Sequence, residues 1–116
     1  MNDKFLKDYE RSGKKWHPIL GRIRFLKKHD LKFLYWGRKA EASTNKILKK
    51  YFLFRQWNVG RKYGLEMNCE TLGAGIRLIH PFGITVNESC HCGENITLFK
   101  GATIGAVRGG YEQVIL

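Results

Sequence analysis

The last third of the chain keeps a six-residue beat, and that beat limits the possible fold more than any other feature. Val86, Cys92, Leu98 and Ile104 stand six apart, and two residues ahead of them stand Ile84, Cys90, Ile96 and Ala102. Asn87, Gly93 and Gly105, residues that suit a tight corner, follow three of the four. One short strand has no way to bury its apolar side alone, so a fixed short period implies stacked, near-identical coils. Ile84–Val86, 96–98 and 102–104 read as three-residue strands, each followed by a corner. The beat is interrupted over 75–83 by Gly-Ile-Arg-Leu-Ile-His-Pro-Phe-Gly, and the interruption contains His80.

Upstream the texture is helical. Residues 3–12 suit a short helix stopped by Ser12-Gly13, and Pro18 suits the first turn of a second, where no N–H is needed. Ile19, Ile23, Leu26, Phe33 and Leu34 approximate a 3.6-residue period, with Arg22, Lys27, Lys28 and Lys32 opposite and a join near His29-Asp30. A third helical stretch runs from Lys46 to about Lys62 behind the cap candidates Ser43, Thr44 and Asn45, with Gly60 and Gly64 as its end. Its apolar residues Ile47, Leu48, Tyr51, Phe52, Phe54 and Trp57 are dense enough to be expected in a core.

At 116 residues the chain is expected to form one domain, or one domain with a helical appendage. Charge divides it sharply. Residues 1–62 hold 18 Lys/Arg against 5 Asp/Glu, and 63–116 hold 3 against 5. A basic half suggests nucleic acid or an anionic membrane surface. Because the basic residues alternate with apolar ones at helical spacing, solvated helix faces are the reading preferred here, with no nucleic-acid partner and peripheral membrane contact left open. No apolar run is long enough for a transmembrane helix, and Asp3, Lys4, Lys7, Asp8 and Glu10 leave no secretory signal core. Three cysteines, an odd number, read as reduced thiols in the cytoplasm.

Residues 73–105, GAGIRLIHPFGITVNESCHCGENITLFKGATIG, resemble the hexapeptide-repeat acyltransferases, and most closely the serine acetyltransferase-like branch, which includes enzymes encoded with polysaccharide biosynthesis clusters. Leu72-Gly73 matches the family's corner, His80 its histidine, Gly83-Ile84-Thr85-Val86 its return and Thr103-Ile104-Gly105 its resumed hexads. The match covers roughly residues 63–110, and a basic helical region precedes the repeats in that branch too. The resemblance implies an α+β chain: a basic α-helical region over 1–62, then a short left-handed parallel β-helix over 63–116. It also implies a homotrimer and acetyl transfer from acetyl-coenzyme A to a small-molecule hydroxyl. Parallel crossovers are otherwise right-handed, so the hand comes from the resemblance alone.

The chemistry centres on His80. Attack of a hydroxyl on a thioester needs a base for the departing proton, and imidazole, ordinarily titrating near ~6.5, suits that task. The glycines flanking the 75–83 segment permit a loop that lifts His80 out of the coil. The resemblance implies a carboxylate about one coil upstream to orient the base; Gly64-Leu65-Glu66-Met67 marks Glu66 for it, with Glu70 as rival. It implies backbone contacts to coenzyme A at Gly105 and Ala106. Ile79 stands where serine acetyltransferases carry the aspartate of Asp-His, which moves the expected acceptor from free serine toward a sugar or other hydroxyl.

Cys90-His91-Cys92 suggests metal ligands, but strand alternation turns both cysteines one way and His91 the other, so no metal is expected. Lys100 and Arg108 read as solvated corner residues in preference to phosphate contacts. After Arg108-Gly109-Gly110 the family begins further coils, which build much of the coenzyme A groove, whereas this sequence ends at Val114-Ile115-Leu116. The β-helix is thus expected to be incomplete, and its activity is open. The alternative reading is a non-catalytic binding or assembly module that docks on an anionic partner or membrane through its basic helices.

Overall fold

The computed structural model describes residues 2–13, 15–69, 72–87 and 90–104. The fold is α+β, and the described residues form four helices followed by five short strands in parallel pairs. Helix α1 (Asp3–Arg11) starts at Asn2, whose side chain accepts from the Phe5 N–H, with Asp3 in the first turn and Arg11 in the last. Helix α2 (Leu20–Lys27) is opened by His17, whose Nδ1 accepts from the N–H groups of Ile19 and Leu20. The Gly21 N–H donates to the His17 carbonyl, so Pro18 sits in the opening turn, where a missing donor is harmless. Helix α3 spans His29–Ala42, so the join expected at His29-Asp30 is its first turn. Helix α4 (Lys46–Tyr63) is capped by Asn45 Oδ1 on the N–H groups of Ile47 and Leu48, and Gly64, at φ 71°, turns the chain out of it.

Gly60 does not end α4 as expected; it lies inside the helix. A Cβ there would come within 2.4 Å of the Leu65 carbonyl oxygen and 2.9 Å of the Phe33 ring. Bare backbone is what lets α4 meet the first strand and α3 at once. Two expectations about apolar faces are corrected. Ile19, Ile23 and Leu26 face solvent, as do Ile47, Leu48, Tyr51, Phe54 and Trp57. Helix α4 packs through a narrow strip containing Gln56 and Gly60, which leaves most of its circumference uncovered. The helical contribution to the core comes instead from Phe5 and Tyr9 of α1 and Leu31, Phe33 and Leu34 of α3.

The strands are β1 (Leu65–Glu66), β2 (Arg77–Ile79), β3 (Ile84–Val86), β4 (Thr97–Phe99) and β5 (Thr103–Ile104). β1, β3 and β5 pair in that order, β2 pairs with β4, and Leu72 bridges Cys92. The chain therefore visits three faces in turn and then visits them again. Thr85 pairs with Thr103, 18 residues on, the span of three hexads. Coils that include the His80 corner are longer: Leu65 pairs with Ile84, 19 on, and Arg77 with Thr97, 20 on. The excursion thus adds one or two residues. It is also shorter than expected, because Arg77–Ile79 forms a strand where only an irregular loop was foreseen. The beat positions Ile84, Val86, Cys90, Cys92 and Leu98 are all buried.

Helices and coils share one core, locked by a buried ion pair. Arg38 Nε donates to Asp8 Oδ2 at 2.8 Å, with both side chains fully shielded from solvent. The rest of the guanidinium donates to Glu41 and to the carbonyls of Cys69, Leu72 and Gly73. Asp8 Oδ1 accepts from the N–H groups of Gly75 and Ile76, both at 2.9 Å. Burial works against the Arg38 charge, but Asp8 and Glu41 outweigh it and hold the guanidinium protonated more firmly than usual. Arg11 adds bonds to the Gly75 and Asn95 carbonyls and to Thr97 Oγ1. Two of the basic residues in the helical half are thus structural.

Candidate active site

His80 ends β2 and turns the chain toward β3. It is exposed, and its φ of 47° lies in the left-handed region, where a non-glycine residue costs about 1–3 kcal/mol. The corner is held from both sides. Its own carbonyl accepts from the Phe82 N–H at 2.7 Å, and Gly83, at φ 63°, donates to the Tyr63 carbonyl at the end of α4. From the next coil, Lys100 donates its N–H to the Ile79 carbonyl and Gly101 to that of Phe82. Lys100 is therefore stacked on the His80 corner, with an exposed side chain.

A second histidine, His29, whose place in the sequence suggests only a helix join, braces the same loop. His29 stacks on Tyr63 with ring centroids 3.8 Å apart and planes at 15°, and lies tilted against Phe82 at 5.0 Å. Its Nε2 is 2.8 Å from the Pro81 carbonyl oxygen; since a carbonyl only accepts, Nε2 carries the proton. Nothing in the local sequence around His29 announces this, because the contact is between residues 52 apart.

Glu66 lies on β1 opposite Thr85 and is exposed. It lines a groove of about 530 Å³ with Trp57, Asn68, Thr85 and Thr103. His80 is not part of that groove, and no hydrogen bond joins the two within one chain. The structure thus places the expected base and its expected orienting carboxylate on neighbouring parts of the same coil without bringing them together. Gly105 and Ala106, expected at the cofactor, lie outside the described residues, as do Glu70 and Arg108.

Cys90 and Cys92 are buried and His91 is exposed, the alternation expected of an extended segment. Burial pushes the Cys92 thiol up, and Cys90 beside it adds to the shift. Among the described residues no His, Cys, Asp or Glu cluster of metal-binding size occurs, and no helix is long and apolar enough to cross a membrane.

Comparison with known proteins finds similarity to two serine acetyltransferases. That of Bacillus pumilus (strain SAFR-032) is 33% identical over 60 residues, which is 49% of this chain and 28% of the relative. That of Bacillus subtilis (strain 168) is 30% identical over 73 residues, 60% of this chain and 33% of the relative. The chain thus spans about a third or less of the relatives it matches. No protein-family profile matches it. No solved structure matches it.

Proposed function

We propose that the chain acts as an O-acetyltransferase, moving acetyl from acetyl-coenzyme A to a hydroxyl of serine or of a sugar precursor. The observation that carries this reading is the partial likeness to two serine acetyltransferases, at 33% and 30% identity. Three parallel faces and an 18-residue coil are what a hexapeptide β-helix requires, and in this reading the helix is left-handed and assembles as a trimer in the cytoplasm. Ile79 in place of an acidic residue favours a sugar or polysaccharide-precursor hydroxyl over free serine.

In this reading His80 takes the hydroxyl proton as the acceptor oxygen bonds to the thioester carbonyl carbon. The C–S bond then breaks, and the imidazolium returns the proton to the departing thiolate. The exposed, strained corner presents His80 to a substrate without a competing hydrogen bond from the described residues. Glu66 is the proposed orienting carboxylate, its bond to the base forming only in the substrate-bound, assembled state; catalytic hydrogen bonds are often long before substrate binds. Gly105 and Ala106 are proposed to offer backbone contacts to acetyl-coenzyme A. No metal enters the mechanism.

The test is thiol release from acetyl-coenzyme A with serine and a panel of sugars. Acceptor-dependent release that falls about 10²–10⁴-fold in His80→Ala supports the assignment. No release from folded protein, with salt-sensitive binding to anionic vesicles, would move the reading to a docking module. One observation favours that alternative: Ile19, just ahead of α2, and Leu20, Ile23 and Leu26 within it face solvent beside Arg22, Lys27 and Lys28.

A further inference from the structure

Away from the His80 corner, a cleft of about 410 Å³ opens between α3 and α4, with Leu26 of α2 at its rim. Lys32, Arg55 and Lys62 line it together with Tyr35 and Trp36. A smaller hollow of about 120 Å³ adjoins it, sharing Lys32 and Lys62 and adding Lys27 and His29. No described carboxylate lines either space, and among the described residues none of Lys27, Lys32 and Lys62 has an acidic partner. The contrast within the same chain is informative: Lys4 and Arg38 are both compensated by carboxylates. Here three cations, Lys32, Arg55 and Lys62, line the cleft and a fourth, Lys27, lines the adjoining hollow, with no carboxylate paired to any of them among the described residues. The Arg55 guanidinium lies 4.8 Å from the Trp36 ring centroid, so it is shared with the aromatic wall.

We propose that this cleft binds a small phosphate-bearing molecule. A single carboxylate would leave most of the converging positive charge unanswered, whereas a phosphate or diphosphate offers compact multiple charge and several acceptor oxygens to lysine ammonium groups. The volume lies within the range of small-ligand sites, about 300–1,000 Å³, and the concave shape between two packed helices suits a compact ligand better than a duplex or a bilayer. Tyr35 and Trp36, whose rings meet edge to face at 71°, offer aromatic surface for the uncharged part of the ligand. The inference does not depend on acetyl transfer, although His29 in the smaller hollow also holds the Pro81 carbonyl and so places the ligand next to the loop that carries His80.

The test is calorimetric titration of the full chain with pyrophosphate and, separately, with ADP. Lys32→Glu/Lys62→Glu is compared with Lys46→Glu/Lys50→Glu, which makes the same charge change at exposed positions of α4 outside the cleft. The expected result is one saturable site per chain for at least one probe, its Kd raised about tenfold or more in the cleft variant and nearly unchanged in the control. Tighter binding of ADP than of pyrophosphate would identify the aromatic wall as part of the site; equal binding would mean that phosphate alone is read. Lys62→Ala, at an exposed position, replaces the double variant if that fails to fold. The proposal is overturned if neither probe saturates, if both variants weaken binding equally, or if only anionic vesicles or single-stranded RNA bind.

Discussion

The imidazole Nε2 of His29 lies 2.8 Å from the carbonyl oxygen of Pro81, tying the first turn of α3 to the residue that follows His80. Together with the stacking on Tyr63, this bond sets where the His80 corner sits relative to the helices. If His80 is the base, His29 is a positioning residue. His29→Phe keeps a ring for the stack but cannot donate to Pro81. Its kcat should fall roughly ten- to a hundredfold, since small displacements of reacting groups are costly, with the KM for acetyl-coenzyme A little changed. His29→Gln, which retains an N–H donor, should recover part of the loss. Thermal melts of both variants separate this effect from unfolding, and equal loss of kcat in both would remove the role.

Arg38 answers several groups at once: the Asp8 carboxylate, Glu41 and three backbone carbonyls of the first coil. Arg38→Met removes the cation and leaves Asp8 buried beside apolar atoms, a change that should cost about 3–5 kcal/mol in urea unfolding. Arg38→Lys should also be strongly destabilising, because one ammonium cannot span the positions the planar fork reaches. A loss below 1 kcal/mol in Arg38→Met would mean that the ion pair does not lock helices to coils.

Much of the coil was legible because its period is carried by the core itself. Ile84, Val86, Cys90, Cys92 and Leu98 recur in register and are buried in register. The caps at Asn45 and Gly64 were legible because capping chemistry is local. The Asp8–Arg38 lock was not, since charged residues in an amphipathic pattern read as solvent-facing and their pairing spans 30 residues. Nor was the exposure of Phe54 and Trp57, because aromatic density signals burial without saying against what. At the candidate site, His80 stood out as the break in the beat. The brace from His29 and the separation of Glu66 from His80 depend on how α3 and β1 meet the loop, and no local pattern encodes that.

Cys69 offers a pH-dependent readout of the helix–coil junction. Burial pushes its thiol up to about 12, with nearby Arg38 opposing the shift. A thiol that holds its proton more tightly when folded stabilises the fold fully below its unfolded value, near 9, and that contribution disappears as pH rises toward the folded value. Between pH 9 and 10.5 the wild type should therefore lose about 1.5 kcal/mol more stability than Cys69→Ala, since the slope is half of 1.36 kcal/mol per pH unit at pH 9, where half of the unfolded thiols are ionised, and approaches the full value above it. Urea titrations at the two pH values measure the difference. Parallel pH curves for the two proteins would mean that the Cys69 thiol is not protected as the structure places it.

The left-handed backbone of His80 makes activity and stability separable at one position. His80→Ala removes the imidazole but keeps a Cβ at φ 47°, so the strain remains. His80→Gly removes both, and glycine occupies that region without steric penalty. The glycine variant should be more stable than the alanine variant by about 1 kcal/mol, the reverse of the order expected at an ordinary helix or strand position. Neither should release thiol from acetyl-coenzyme A. If the alanine variant is the more stable, the corner relaxes to negative φ once the imidazole is gone, and the imidazole itself is what holds the turn. If instead the stability order holds and both variants retain wild-type thiol release, the strained corner is a structural device and the base must be sought elsewhere.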